Sequence, residues 1–349
     1  MSQATATASV TSTRTSAETR ALMIRVLSYV LLAGAGVWVL YKGFTEPADF
    51  LTVVFRGLKF GALYALVALG YTMVYGIIEL INFSHGDLFM LTTVMSGLIM
   101  VSWLSKVDPS VTAFLLMIGA MLVAMAAAAG VNTLAERVAY RRLRRAPKLA
   151  PLITAVGLSF IYQSVGIQMN GSGQRNWRTI LGDRGFTLGG AKVEWSAIVV
   201  LAITIPLLLA MTFLVNKTRQ GKAMRATAQD QDAARLMGVD VDRTIAFTFA
   251  LGGALAGAAG MLWLESIGTT RYDLGFQLGL IAFTSAVLGG IGNLNGAVLG
   301  GFVIGFIQQL NEAFLLGNAW SQTVVFAILI MVMVFKPEGI LGKPTTEKV

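Results

Sequence analysis

His85 is the chain's only histidine, and it sits in the stretch LINFSHGDLF together with Asn82, Ser84 and Asp87. A hydroxyl, an imidazole and a carboxylate so close together invite a catalytic reading with His85 as general base. Neighbouring residues on a helix point about 100° apart, however, and nucleophilic catalysis needs hydroxyl and base held within hydrogen-bond reach. The sequence contains no H-E-x-x-H and no G-x-S-x-G. Nor does it contain a phosphate-binding loop, because Gly221-Lys222 is followed by Ala223 and lacks the upstream glycine. With one histidine and no cysteine, imidazole-rich and thiolate metal sites are excluded. The expectation is a protein without catalytic residues, metal or cofactor of its own; any pumping would draw on an ion gradient or on a partner that hydrolyses ATP.

The solvent around these groups decides what they do. The 349 residues are 55% hydrophobic and only 13% charged, with a mean hydropathy of +0.70. That composition implies an all-α, polytopic transmembrane helix bundle. A spanning helix needs about 20 mainly apolar residues, and such runs lie near 22–41, 55–78, 87–105, 111–133, 150–169, 195–215, 244–264 and 320–336. The stretch 277–315 is too long for one helix, and its GGIGNLNG cluster divides it, giving about ten spans with short or broken helices. Residues 1–21, rich in Ser, Thr and Ala, read as a disordered tail; 22–336 form the membrane domain and 337–349 a second tail.

Basic residues crowd into two loops, ERVAYRRLRRAPK and the long polar segment 216–243. Both fall on one side of the bilayer by parity, so the positive-inside rule makes that side cytoplasmic and places both termini there. The loop 170–194, assigned outside, still carries Arg175, Arg178, Arg184 and Lys192. The net charge of +9 is thus a membrane signature, and without a basic, aromatic-interleaved module nucleic acid is not an expected partner.

Where lipid surrounds the helices, small residues allow close approach. Gly253 with Gly257, and Gly292 with Gly296 and Gly300, recur at a spacing of four and are expected to form packing seams, although 38 glycines also produce such spacings by chance.

In segment 216–243, Asp230 and Asp232 precede a short apolar helix, Ala233, Ala234, Leu236 and Met237, closed by Gly238. It reads either as a solvated connector or as a docking helix with Leu236 and Met237 as anchors. Asp232-Ala233-Ala234-x-x-x-Gly238 resembles the EAA-x-x-x-G coupling loop of ATP-binding-cassette importer permeases, with Asp in place of Glu. The stretches GLKFGALYALVALGYTMVYGIIELINFSHGD, GKAMRATAQDQDAARLMGVDVDR, which begins at Gly221, and AVLGGIGNLNGAVLGGFVIG together resemble the LivH-type permease subunits of branched-chain amino acid importers, over nearly all of 55–342. The resemblance implies a multi-pass subunit of the bacterial inner membrane. Its implied partners are a LivM-like second permease, two cytoplasmic LivG/LivF-like ATPases that use the ATP, and an extracytoplasmic amino-acid-binding protein. A permease for urea, short amides or another small polar solute, and an ion-coupled secondary transporter, are the alternatives. The latter would be expected to show inverted repeats and charges deep in its spans, which the sequence does not clearly display.

A zwitterion crossing the bilayer needs polar partners, which makes Asn82, Ser84, His85, Asp87, Gln308 and Gln309 candidates for the path or its gate. The competing reading of the first four is a helix break with Asn82 or Asp87 as the cap, located at the cytoplasmic end of a span.

Overall fold

The computed structural model describes residues 33–79, 82–104, 111–144, 146–147, 149–182 and 184–342. The tail expected at 1–21, the last seven residues of the tail expected at 337–349 and much of the first expected span lie outside them. Residues 33–45 form helix α1, followed by α2 (Pro47–Ile78), α3 (Ser84–Leu104) and α4 (Val111–Ala135). A π-helical turn, Glu136–Tyr140, carries α4 into the short α5 (Arg141–Leu143). Next come α6 (Leu149–Asn170), strands β1 (Arg175–Asn176), β2 (Gly185–Leu188) and β3 (Ala191–Glu194), and α7 (Trp195–Lys217). The remaining elements are α8 (Arg219–Gln229), α9 (Gln231–Leu236), α10 (Val241–Ile267), β4 (Thr269–Thr270), α11 (Leu274–Gly289), α12 (Leu294–Phe314) and α13 (Ser321–Phe335).

Among the described residues eight helices are long and apolar enough to span a bilayer, and α11 is a shorter apolar helix of 16 residues. The protein is an all-α polytopic bundle. Among the described residues the strands make two small antiparallel pairs, β2 with β3 and β1 with β4. The second ties the loop after α6 to the end of α10, where Arg175 stacks over the Trp177 ring at 4.4 Å.

Burial separates the helices into a core and a jacket. α2 and α10 are buried over most of their length, whereas α4, α6, α7 and α13 turn most of their surface outward, as helices facing lipid do. The core is packed through small residues. On α10, Gly253 lies against the Ala128 backbone and Gly257 against the backbone of Ala124 and Met125, both on α4. Gly260 meets Thr92 and Thr93 of α3, and the Thr92 hydroxyl donates to the Ala256 carbonyl at 3.1 Å. Gly57 and Gly61 of α2 receive Phe306 and Phe302 of α12, while Gly296 and Gly300 of α12 lie against Gly289 and Ser285 of α11.

Gly292 does not belong to that seam. It stands in the turn between α11 and α12 with φ 89°, and a Cβ placed on it would meet no atom within contact distance, so backbone conformation rather than packing calls for glycine there. The turn is closed by Asn293, whose Oδ1 accepts from the Gly296 N–H at 3.1 Å, and is tied to the C-terminal segment through Asn293 Nδ2 to the Leu341 carbonyl.

Candidate functional site

Two helices start inside the bundle. Gly86, in the first turn of α3, packs against Gly275 and Gly279 in the first turns of α11. Neighbouring helices give the depth of this junction. Asp87 is bonded to Ser159 and Gln163 of α6, and Gly70, beside His85, faces Gly252 of α10. At 1.5 Å per residue, Ser159 lies about 15 Å from the start of α6 and Gly252 about 16 Å from that of α10. Both are near the midpoints of helices long enough to cross the membrane. The cluster expected at the cytoplasmic end of a span is therefore beside the middle of these helices, since α3 begins next to Gly70, eight residues or about 12 Å before the end of α2.

Asn82 organises the start of α3. Its Oδ1 accepts from the Ser84 N–H at 3.2 Å, the Ser84 hydroxyl at 2.6 Å and the Tyr140 hydroxyl at 2.7 Å, and its carbonyl accepts from the His85 N–H at 3.1 Å. Asn82 thus starts α3 and fastens it to the π-helical turn after α4. That turn is itself anchored: Glu136, fully buried, accepts from Arg141 at 3.2 Å and from Arg144.

Asp87 is 1% exposed. Its two oxygens accept from the Ser159 hydroxyl and from Gln163 Nε2, the latter at 3.1 Å. Ser159 and Gln163 are four apart on α6 and so share a face. The carboxylate also lies close to Gly275 at the start of α11, so it faces the positive ends of two helices. Asn82 is therefore the cap of α3, while Asp87 is bonded across to another helix.

His85 packs edge-on against Tyr71, ring centroids 4.8 Å apart. Its Nε2 would lie 2.5 Å from a Cβ at Gly70, so only glycine leaves room for the ring. Neither ring nitrogen makes a hydrogen bond of normal geometry, although the ring faces the Val67 carbonyl. Ser84 bonds Asn82 and not His85, so the serine and histidine do not form a nucleophile–base pair.

Gln308 and Gln309 are not part of this cluster. Gln308 accepts from the Tyr64 hydroxyl at 2.7 Å, and both glutamines donate to Glu312, at 3.0 and 2.8 Å. Tyr64 precedes Tyr71 by seven residues, about 10 Å along α2, toward the end where Lys59 bonds Glu194 at 2.5 Å. Asn311 secures the turn after α12 through the Gly317 carbonyl. Sequence reasoning missed Tyr71, Tyr140 and Ser159; the Ser159–Gln163 pair, four apart on α6, was the available signal.

Segment 216–243 is more structured than a connector. Gly221 sits against the Val215 and Leu214 carbonyls where α8 folds back beneath α7, and Thr218 Oγ1 accepts from the Gly221 N–H at 3.0 Å. Asp230 caps α9, accepting from the N–H groups of Asp232 and Ala233 at 2.9 and 3.0 Å. Ala234 is buried and Gly238, at φ 81°, ends the element, while Asp232 pairs with Arg235 at the surface. Leu236 and Met237 are 89% and 87% exposed.

Residues 53–333 match the family described as branched-chain amino acid transport system, permease component. The chain belongs to this permease family. It is 38% identical over 307 residues to the high-affinity branched-chain amino acid transport system permease protein LivH of Salmonella typhimurium, covering 86% of this chain and 98% of that one. It is 36% identical over 308 residues to the permease protein BraD of the corresponding system of Pseudomonas aeruginosa, covering 87% and 99%. A shorter likeness, 32% over 139 residues and 38% of this chain, links it to the autoinducer 2 import system permease protein LsrC of Yersinia pestis. The family match begins within α2 and ends within α13, so it contains both helix starts and the α8–α9 segment. The family assignment and the apolar helices together make this an integral membrane permease.

Proposed function

We propose that this permease carries branched-chain amino acids into the cell as one transmembrane subunit of an ATP-binding-cassette importer. An extracytoplasmic binding protein delivers the substrate, a LivM-like permease completes the pathway, and two LivG/LivF-like ATPases supply the energy. The chain resides in the bacterial inner membrane with both termini and segment 216–243 in the cytoplasm.

The observation that carries this reading is the pair of apolar side chains, Leu236 and Met237, held out on a capped helix that is otherwise anchored to the bundle. Exposed apolar side chains on a rigid support are what a groove in a soluble partner grips. Closure of the ATPases around α9 would move α8, and with it the end of α7, giving the bundle different contacts in two states, as coupling requires. Inside the bundle, Asp87 would meet the substrate ammonium.

Uptake in cells supplied with the cognate binding protein tests the substrate. Leucine, isoleucine and valine are expected to accumulate and to compete with one another, whereas urea and ribose are not; uptake of urea or ribose alone would replace the substrate assignment. The mid-depth position of Asp87 favours one second reading, ion-coupled transport, which differs in needing no ATP.

A further inference from the structure

The turn that ends α4 sorts four arginines onto two faces. In a π-helical turn the backbone bond runs from residue i+5 to residue i, here from the Arg141 N–H to the Glu136 carbonyl, so side chains five apart share a face. Glu136 and Arg141 form one such pair, bonded at 3.2 Å with the carboxylate fully buried. Arg144 also bonds Glu136 and reaches Asp242 of α10 at 2.6 Å. Arg137 and Arg142 form the other pair, and both are exposed. In an unbroken α-helix they would point about 140° apart. Among the described residues neither is held in an ion pair, and the carboxylates of Glu136 and Asp242 are already engaged by Arg141 and Arg144.

The outward pair continues a surface that faces lipid. α4 turns most of its surface outward, and Leu134 and Val138, four apart, are each 61% exposed. Arg137 lies about one turn beyond Leu134 and Arg142 about one turn beyond Val138, so the face passes from hydrocarbon to guanidinium within about 6 Å of rise. The change falls at the end of the bundle where α10 starts, as the Arg144–Asp242 bond shows. Guanidiniums side by side suit the oxygens of a phosphate, which they bind through forked, bidentate hydrogen bonds. Branched apolar side chains just inside them suit the upper part of an acyl chain.

We propose that Arg137 and Arg142, with Leu134 and Val138, bind the headgroup and upper acyl chain of an acidic phospholipid. The π turn makes the site by bringing two guanidiniums to one side while it commits Arg141 and Arg144 to Glu136. A soluble anion would have no use for the apolar pair. The face runs on without interruption from the lipid-facing side of α4, which favours lipid over a partner protein. Basic groups at a membrane surface attract anionic lipid, each adding to the preference. On its inner face the same turn holds Asn82 through the Tyr140 hydroxyl at 2.7 Å, so a bound lipid braces the start of α3 from outside.

The chain has no native cysteine, so a fluorophore can be attached at one chosen position. Gly130 is exposed, one turn before Leu134, and a Cβ there meets no atom within contact distance, so Gly130→Cys carries the label without disturbing the site. Leu115→Cys, at an exposed position about 22 Å back along α4, is the control. Each labelled chain is placed in bilayers of equal phosphatidylglycerol and phosphatidylcholine, with one or the other brominated in its acyl chains, both alone and in the complete transport complex. Quenching at Gly130→Cys is expected to show a preference for phosphatidylglycerol of about fivefold, with none at Leu115→Cys. Arg137→Gln with Arg142→Gln should remove the preference while the yield of the chain stays normal. Where the double variant fails to assemble, either single variant serves and should lower the ratio. No preference beside the unsubstituted site, or one that survives loss of both guanidiniums, overturns the proposal. So does a preference abolished by inorganic phosphate, which would assign the pair to a soluble anion. A preference present in the chain alone and lost in the complex would assign the face to a partner subunit and overturn it equally.

Discussion

Gly86 of α3 and Gly279 of α11 approach so closely that a Cβ on Gly86 would stand 2.6 Å from the Gly279 Cα. Two helices that begin in the middle of a membrane protein leave eight backbone N–H groups unpaired by their own turns, and the junction brings these ends together around one carboxylate. Discontinuous helices of this kind are tolerated only where protein or water satisfies the backbone.

Gly86→Ala should therefore be costly. The new methyl would meet backbone atoms, which cannot swing aside, and overpacking of this sort costs about 1–3 kcal/mol. The thermal midpoint of the detergent-solubilised protein is expected to fall by several degrees, and an unchanged midpoint would show that the junction is looser than described.

Asp87→Asn keeps the shape of the side chain and an acceptor for Ser159, but removes the charge that faces the two helix starts. Assembly of the complex is expected to be retained while transport falls about tenfold or more, since intramembrane carboxylates tend to mark the path. Equal loss of folded protein and of transport would assign Asp87 a scaffolding role instead. Radiolabelled uptake normalised to assembled complex, read by size-exclusion chromatography, distinguishes the two.

Glu194 supplies a pH test outside the membrane. Burial pushes its carboxyl upward, but the hydrogen bond and charge of Lys59, the charge of Arg56 and the Ser196 hydroxyl together hold it below the ordinary carboxylate value. A carboxyl depressed in the folded state stabilises it above the unfolded value, and that contribution is lost as pH falls through the folded one. Unfolding midpoints measured from neutral pH down into the acid range should decline in this window, and Glu194→Gln should flatten that decline. A parallel decline in the variant would assign it to other groups.

Leu236→Asp with Met237→Asp alters two exposed side chains and should leave the fold intact. Loss of two interface anchors commonly costs on the order of 2–4 kcal/mol, so co-purification of ATPase subunits is expected to collapse while the yield of the permease stays normal. Retention of the ATPases would remove α9 from the interface.

What the sequence makes legible is local. Apolar length marks the spans, the GGIGNLNG break becomes the turn Gly290 to Asn293, and the capped element after Asp230 begins at Gln231, just ahead of its apolar pattern. Helix α8 is hidden, although Thr218 as its cap is readable. Depth is not legible, because nothing near Asn82 or Asp87 records where α6 and α10 pass; the stretch reads as a span boundary although α3 begins beside the middle of both helices. For the same reason the sequence groups Gln308 with His85, and Gly292 with Gly296: a spacing of four arises equally in a packing face and across a turn.

The most direct measurement is uptake of labelled leucine by proteoliposomes containing this permease with its second permease, ATPases and binding protein, with ATP inside or absent. Accumulation that requires both ATP and the binding protein is expected. Accumulation without ATP, driven by an ion gradient, would contradict the assignment to an ATP-driven importer.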